Sequence, residues 1–364
     1  MLKSVIYGLL VVCSAALFAG CSTVGNSSMS DIVPMKVESS NKTASIPNEE
    51  VSKVPEQARA KTIIDGPKVG DKSNANLSNK ENKNRGSNFK ESDLKIVALM
   101  QENAPKFVQE TYYDSKTGIT LAYSLFVPKD YDQNKAYPML MYIPDASAGG
   151  KAAKDIVEQY FGADIWVTDE EQAKHPSFVL VPAFSEVVVD DSFTTSKQID
   201  AAVNLLNHLT QKYNIDPNRL YTTGQSMGCM TSLYLNSKYP DLFAASLFVS
   251  GQWDISVLQP LLKQKFFYIT AAGDEKASGG QDEVMNMFTA NKVPYSYATW
   301  SAKDDEILQN LAVRKMLKAG NNANFIRFER GSVLDGSSNI EHMASFKYGY
   351  RLTAVRDWLY AQHK

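Results

Sequence analysis

Cysteine is scarce: the chain has three in 364 residues, and two of them, Cys13 and Cys21, fall near the N-terminus. Only Cys229 remains in the body, so no internal disulfide is available to hold it. Neither sign of charge is in surplus. Thirty-eight basic and 40 acidic residues give a formal net charge of −2, which removes the electrostatic footprint of a nucleic-acid binder. Beyond the N-terminus no apolar run is long enough to cross a bilayer. Aromatics are missing altogether from residues 22–88, which are rich in Ser, Asn, Lys, Glu and Pro. Such a stretch cannot bury enough apolar surface to offset its chain entropy. Its mixed charges (Lys80, Glu81, Lys83, Arg85) predict a solvated, disordered linker rather than a basic arm. The 16 Phe, 18 Tyr and 4 Trp are therefore concentrated elsewhere, in a chain that is 44% hydrophobic and can build a sizeable core.

The apolar pattern restarts near Ser92. Phe107 to Tyr113 and Ile119 to Val127 read as strands around the turn Asp114-Ser115-Lys116-Thr117-Gly118. Met139 to Ile143 is continuously apolar and ends at Pro144-Asp145-Ala146-Ser147-Ala148-Gly149-Gly150, as expected of a strand covered on both faces. A helix over Ala152 to Phe161 and a strand over Phe178 to Pro182 follow. Ile199, Val203, Leu206 and Leu209 give amphipathic spacing to a helix over Ser196 to Tyr213. Asp216-Pro217-Asn218-Arg219 breaks the chain before the next strand. Strands at Ala245 to Val249, Phe266 to Thr270 and Phe325 to Phe328 are separated by helices around Asp282 to Ala290 and Asp304 to Ala319, and Phe346 to Tyr360 closes the chain as a helix. No internal repeat is present. Alternating strands and helices predict one α/β domain over 92–364, with a mostly parallel central sheet and helices on both faces.

Within this pattern one stretch carries chemistry. Leu220-Tyr221-Thr222-Thr223-Gly224-Gln225-Ser226-Met227-Gly228-Cys229-Met230 is a β-type run ending in Gly-x-Ser-x-Gly with a helix-compatible segment behind it. That is the sequence form of a nucleophile elbow, with Ser226 on a sharp strand-to-helix turn and Gly224, Gln225 and Gly228 forming the turn. Cys229, at the start of the helix, reads as a packed small hydrophobe rather than a second nucleophile.

A serine hydroxyl needs a base, and there are only four histidines. His208 lies off the apolar face of its helix, His175 precedes a proline in a polar loop, and His363 is next to the C-terminus. His342, between the last strand and the last helix, remains. The third member should be a carboxylate past the end of a strand. Asp274 fits best, with Glu275, Asp254 and Asp335 as alternatives. An oxyanion needs backbone donors: Met227 N–H is the first, and Ala146 fits best as the second, with Ser147 as the alternative. The acidic group Asp274, Glu275, Asp282 and Glu283 matches no calcium loop, and no cofactor or metal is signalled. Trp253 and Trp300 are candidates for a substrate pocket, although core packing is the more frequent use of an aromatic.

The N-terminus has a charged Lys3, an apolar Val5 to Ala19 and small residues at its end, the form of a secretory signal. Leu17-Phe18-Ala19-Gly20-Cys21 resembles a bacterial lipobox. The resemblance implies a signal peptide over 1–20, a lipid-modified Cys21, and a linker over 21–91 tethering an extracytoplasmic enzyme to a membrane. An uncleaved membrane anchor is the alternative.

From about Phe107 onward the chain resembles the α/β-hydrolase superfamily, especially polyhydroxybutyrate-depolymerase and feruloyl-esterase types and prolyl-oligopeptidase-family hydrolases. The likeness rests on Asp216 to Gly228, on Tyr239-Pro240-Asp241-Leu242-Phe243-Ala244-Ala245, and on the His342 segment before a Trp358-containing helix. It implies ester hydrolysis, or less often peptide hydrolysis, through an acyl-enzyme on Ser226 with His342 and Asp274. The expected partners are a small-molecule or polymer-linked ester and, through Cys21, membrane lipid; no nucleic acid is expected. Pro144-Asp145 stands where such families carry His-Gly. An idle binding protein on a hydrolase scaffold is the reading from another class.

Overall fold

In the computed structural model, residues 94–364 other than Ser337 are described, and residues 61–65 are described as backbone. The expected signal, Cys21 and most of the expected linker lie outside the described residues. In chain order the elements begin with β1 (Lys61–Asp65), α1 (94–103), β2 (Val108–Asp114), β3 (Ile119–Phe126) and β4 (Tyr137–Ile143). Next come α2 (Ala153–Gln159), α3 (Phe161–Asp164), α4 (Asp169–Lys174), β5 (Phe178–Ala183), α5 (Gln198–Lys212), β6 (Ile215–Gln225) and α6 (Met227–Lys238). The chain then runs through β7 (Ala245–Val249), β8 (Phe266–Ala271), α7 (Glu275–Ala290), β9 (Tyr295–Trp300), α8 (Glu306–Leu317) and β10 (Ala323–Phe328). It ends with α9 (Glu341–Arg351) and α10 (Thr353–Tyr360). No helix among the described residues is long and apolar enough to cross a membrane.

The described strands form one sheet of ten in the order β1-β9-β10-β8-β7-β6-β4-β5-β3-β2. β3 runs antiparallel to β2 and β5, and every other pair is parallel. Every residue of β4 is buried, which explains its unbroken apolar sequence. The side chains still alternate. Leu140 and Tyr142 join one core with Trp166, Val313, Tyr350 and Leu359, and Met139, Met141 and Ile143 join the other with Leu206, Leu233 and Phe288. Helices α2, α3, α8, α9 and α10 thus cover one face, and α5, α6 and α7 the other. From β4 the chain crosses outward to β5, while from β6 it crosses the opposite way to β7. The loops at the carboxyl ends of these adjacent strands diverge and leave a crevice, the usual place for a site in such sheets.

Several elements differ from the sequence expectation. β1 lies inside the stretch read as a linker, where Thr62-Ile63-Ile64 is a β-branched run that pairs in parallel with β9. β9 itself is an added strand. The expected closing helix is two helices broken at Leu352, whose extended backbone (φ −69°, ψ 90°) interrupts the helical path. α7 starts at Glu275, earlier than expected, because Gly279 and Gly280 obscure its first turns in the sequence.

α3 carries Asp164 fully into the core, at 0% exposure. Among the described residues no other residue donates a hydrogen bond to its carboxylate oxygens. Burial outweighs the help of its own backbone N–H and pushes its pKa from 3.8 up to about 9. The folded state therefore holds this proton through neutral pH while the unfolded chain has lost it, so stability falls as pH rises from about 4 to about 9. Asp164→Asn is expected to remove that slope and to raise stability at pH 7 by up to roughly 4 kcal/mol, with the gain vanishing toward pH 4. Urea unfolding of both proteins from pH 4.5 to 9 measures it; parallel pH profiles would refute it.

Candidate active site

The site is built at the carboxyl ends of β6, β8 and β10. β6 ends at Gln225 and α6 begins at Met227, so Ser226 alone makes the turn, at φ 51° and ψ −118°. A non-glycine residue held there is strained, and such strain persists only where the surroundings enforce it. Here Ser226 N–H donates to the Val249 carbonyl at 3.0 Å, and its own carbonyl accepts from Met230 N–H at 2.9 Å. The flanking glycines allow the backbone crossing. A Cβ on Gly228 would stand 1.9 Å from the Ile143 carbonyl oxygen, and one on Gly224 would stand 2.5 Å from the Gly228 carbonyl carbon. The elbow is therefore pressed against the end of β4, where the next loop begins.

His342 Nε2 lies 2.8 Å from Ser226 Oγ, and its Nδ1 lies 2.6 Å from Asp274 Oδ2. Because an ionised carboxylate only accepts, Nδ1 carries the proton and Nε2 presents its lone pair to the serine hydroxyl. Asp274 follows β8 as the N-cap of α7, its Oδ1 accepting from Ala277 N–H at 3.3 Å. It is buried, while His342 is about one-third exposed and stands open to a substrate. His342 lies in the first turn of α9, not in a free loop as the sequence suggested.

The alternative acids are engaged elsewhere. Glu275 pairs with Arg330 on the surface, Asp254 caps the short turn Ile255–Val257, and Asp335 pairs with Lys347. The other histidines are distant from this arrangement in their contacts. His175 meets Asp357 and stacks on Tyr360, His208 lies against Tyr112, and the His363 carbonyl accepts from Lys265. Cys229 is completely buried, which drives its thiol pKa far upward and leaves it a packing residue. Trp300 is buried with its indole N–H on Gln309, and Trp253 is buried under Phe193 and Tyr234.

After β4, Asp145 caps the short 3₁₀ turn Ala146–Ala148. Ser147 N–H is already committed to Asp145 Oδ1 at 2.9 Å. Ala146 N–H has no protein acceptor among the described residues, so of the two candidate second donors it is the one left free. Met227 N–H opens α6 and by position lacks an intrahelical acceptor.

The sequence reading missed the supports of His342. Glu341 accepts from Gly273 N–H at 2.9 Å and from Gly331 N–H at 2.7 Å, joining the acid loop to the segment after β10. Ser345 Oγ donates to the His342 carbonyl at 2.7 Å, which leaves Ser250 Oγ as the donor in the 2.7 Å contact between the two hydroxyls. A carboxylate directly before the candidate base was the one available signal for Glu341.

The model of the Esterase family matches residues 115–356, about two-thirds of the chain. The chain belongs to that family. Its sheet, with its elbow and crossovers, is the α/β-hydrolase fold. It resembles a solved thermostable esterase at 24% identity and a TM-score of 0.55, over 72% of this chain and 64% of that one, so it spans less than two-thirds of that relative's length. It is also similar to the feruloyl esterase module of Clostridium thermocellum solved with sinapinate (15% identity, TM-score 0.44, 69% of this chain and 87% of that one). A further likeness is to S-formylglutathione hydrolase from Staphylococcus aureus (14% identity, TM-score 0.39, 70% and 96%). No curated protein matches the chain.

Proposed function

We propose that this protein is a serine hydrolase that cleaves carboxylic esters through an acyl-enzyme on Ser226. The observation that carries the reading is the unbroken relay from Ser226 Oγ through His342 to Asp274, with contacts of 2.8 and 2.6 Å. His342 Nε2 takes the hydroxyl proton as Oγ bonds to the ester carbonyl carbon. The carbonyl π electrons move to oxygen, where the N–H groups of Met227 and Ala146 receive the charge. The oxyanion collapses, the C–O bond to the alcohol breaks, and imidazolium Nε2–H protonates the departing oxygen. Water then enters, loses a proton to the same nitrogen and attacks the acyl-enzyme; the second collapse releases the acid and returns the proton to Oγ. Asp274 holds Nδ1–H throughout and stabilises the imidazolium.

Apolar side chains near the relay support an ester with an apolar acid or alcohol portion. Ile340, two residues before His342, and Met343, directly after it, are exposed. The N-terminal signal and Cys21 support an extracytoplasmic enzyme tethered to a bacterial membrane by lipid.

Purified wild type is expected to react with a fluorophosphonate probe at Ser226 and to turn over p-nitrophenyl esters at least about 100-fold faster than aminoacyl-proline amides. Faster amide cleavage would replace the esterase reading with a peptidase, and no labelling would end both. For the tether, Cys21→Ser should move the protein from the membrane to the soluble fraction; an unchanged distribution refutes lipid attachment.

A further inference from the structure

The free N–H of Ala146, in the turn after β4, and that of Met227, at the start of α6, are separated by about eighty residues of chain, and one side-chain hydrogen bond joins the two segments. Gln225 Nε2 donates to Asp145 Oδ2 at 3.0 Å. Asp145 directly precedes Ala146, and Gln225 is separated from Met227 only by Ser226. Each partner is fixed from its other end. Asp145 Oδ1 accepts from Ser147 N–H at 2.9 Å and from Ser147 Oγ at 2.5 Å, and Ser147 Oγ meets Tyr160 OH at 2.6 Å. Gln225 Oε1 accepts from Tyr142 OH at 3.1 Å. Asp145 and Gln225 are each 5% exposed and Tyr142 is fully buried. The backbone of α3 closes over the amide: a Cβ on Gly162 would lie 2.8 Å from Tyr142 OH and 2.9 Å from Gln225 Oε1.

A carboxylate one residue from an oxyanion donor would oppose the charge it must stabilise if its oxygens faced the substrate. Here they are turned into the protein, where three donors hold them. Hydrogen bonds to an ionised acceptor are about twice as strong as neutral ones. The negative charge is thus used for attachment.

We propose that the Asp145–Gln225 hydrogen bond is a clamp that sets the spacing of the two oxyanion donors, with Asp145 and Gln225 as positioning residues. The clamp rests on the ester-hydrolase reading above. It acts where charge develops in the transition state and leaves substrate binding alone. Loss of one oxyanion donor typically costs about 10² to 10³ in kcat, so a donor that is present but displaced should cost less.

The test is a double-mutant cycle of Asp145→Ala, Gln225→Leu and the combined variant, assayed on a p-nitrophenyl ester, with fluorophosphonate labelling of wild type as a control. Each single change is expected to lower kcat by about 10- to 100-fold with KM within about threefold, and the double variant should fall no further than the worse single. Asp145→Asn should recover most of the loss, because the Gln225 amide can reverse and accept from the new Nδ2–H. Asp145→Asn also keeps the turn cap, so it serves if the alanine variant does not fold. Affinity for a boronic acid, whose adduct on serine is tetrahedral, should fall in parallel with kcat across the series. If wild type is labelled and the single variants keep kcat within twofold, or if their losses multiply in the double variant, the clamp alone is overturned. An unlabelled wild type overturns the ester-hydrolase reading and the clamp with it.

Discussion

Ser226→Ala is expected to lower kcat for p-nitrophenyl esters by about 10⁶-fold and to abolish fluorophosphonate labelling, while the protein stays folded. The size follows from the way such relays act as a unit, since removing the nucleophile alone costs about as much as removing the whole set. The substitution takes away one oxygen and leaves the backbone contacts of the elbow, Ser226 N–H to Val249 and Met230 N–H to Ser226, in place. Alanine keeps the strained φ of 51°, so thermal stability should hardly change. Ser226→Gly provides the contrast. It is equally inactive, but glycine adopts this conformation freely, so it should be more stable than the alanine variant by about 1 kcal/mol. Calorimetry on the two inactive variants separates the strain from the chemistry. Residual activity within about a hundredfold of wild type in Ser226→Ala would mean that another nucleophile does the work.

How much of this was visible in the sequence depended on whether the signal was local. The elbow is local: strand, Gly-x-Ser-x-Gly and helix are contiguous, and each glycine is required by a backbone crossing that the sequence spacing implies. The central strands β4, β7 and β8 were legible because burial on both faces leaves a mostly apolar run with no charged residue to confuse it. The acid was less so. Asp274 and Glu275 are neighbours with the same chemistry, and only the start of α7 decides between them. Asp274 becomes the helix cap and turns inward, and Glu275 takes the first helical position and faces Arg330.

What the sequence hid was mostly tertiary. His342 was expected in a loop because the helical pattern was read from Phe346, yet α9 begins five residues earlier. Its inner face includes Gly349, where a Cβ would touch Val249 at 3.0 Å, so a residue that lowers helix propensity is there for close packing on β7. The Asp145–Gln225 contact spans eighty residues and has no periodicity to reveal it. Asp145 appeared in the sequence only as a departure from an expected His-Gly pair. Ser147 stood close behind Ala146 as a donor, and its N–H is already committed to that same aspartate.

Asp274→Asn should lower kcat by about 10⁴-fold with little change in stability, and the two halves of that statement have different causes. Asp274 has two duties: Oδ1 caps α7 through Ala277 N–H, and Oδ2 receives Nδ1–H of His342. Asparagine caps a helix about as well as aspartate, so the amide oxygen is expected to remain on Ala277 and the fold to survive. That orientation turns Nδ2–H₂ toward the imidazole, where a donor now meets a donor. The histidine can relieve the conflict only by moving its proton to Nε2, and it then presents N–H instead of a lone pair to Ser226 Oγ, so the hydroxyl has no base. The counter-charge for the imidazolium is lost as well. Asp254→Asn and Asp335→Asn, which touch neither nitrogen, should each stay within a few-fold of wild type in kcat. Nitrogen-15 NMR of the imidazole would show the proton on Nδ1 in wild type and on Nε2 in Asp274→Asn. An unchanged tautomer together with undiminished turnover would transfer the acid's role to another carboxylate.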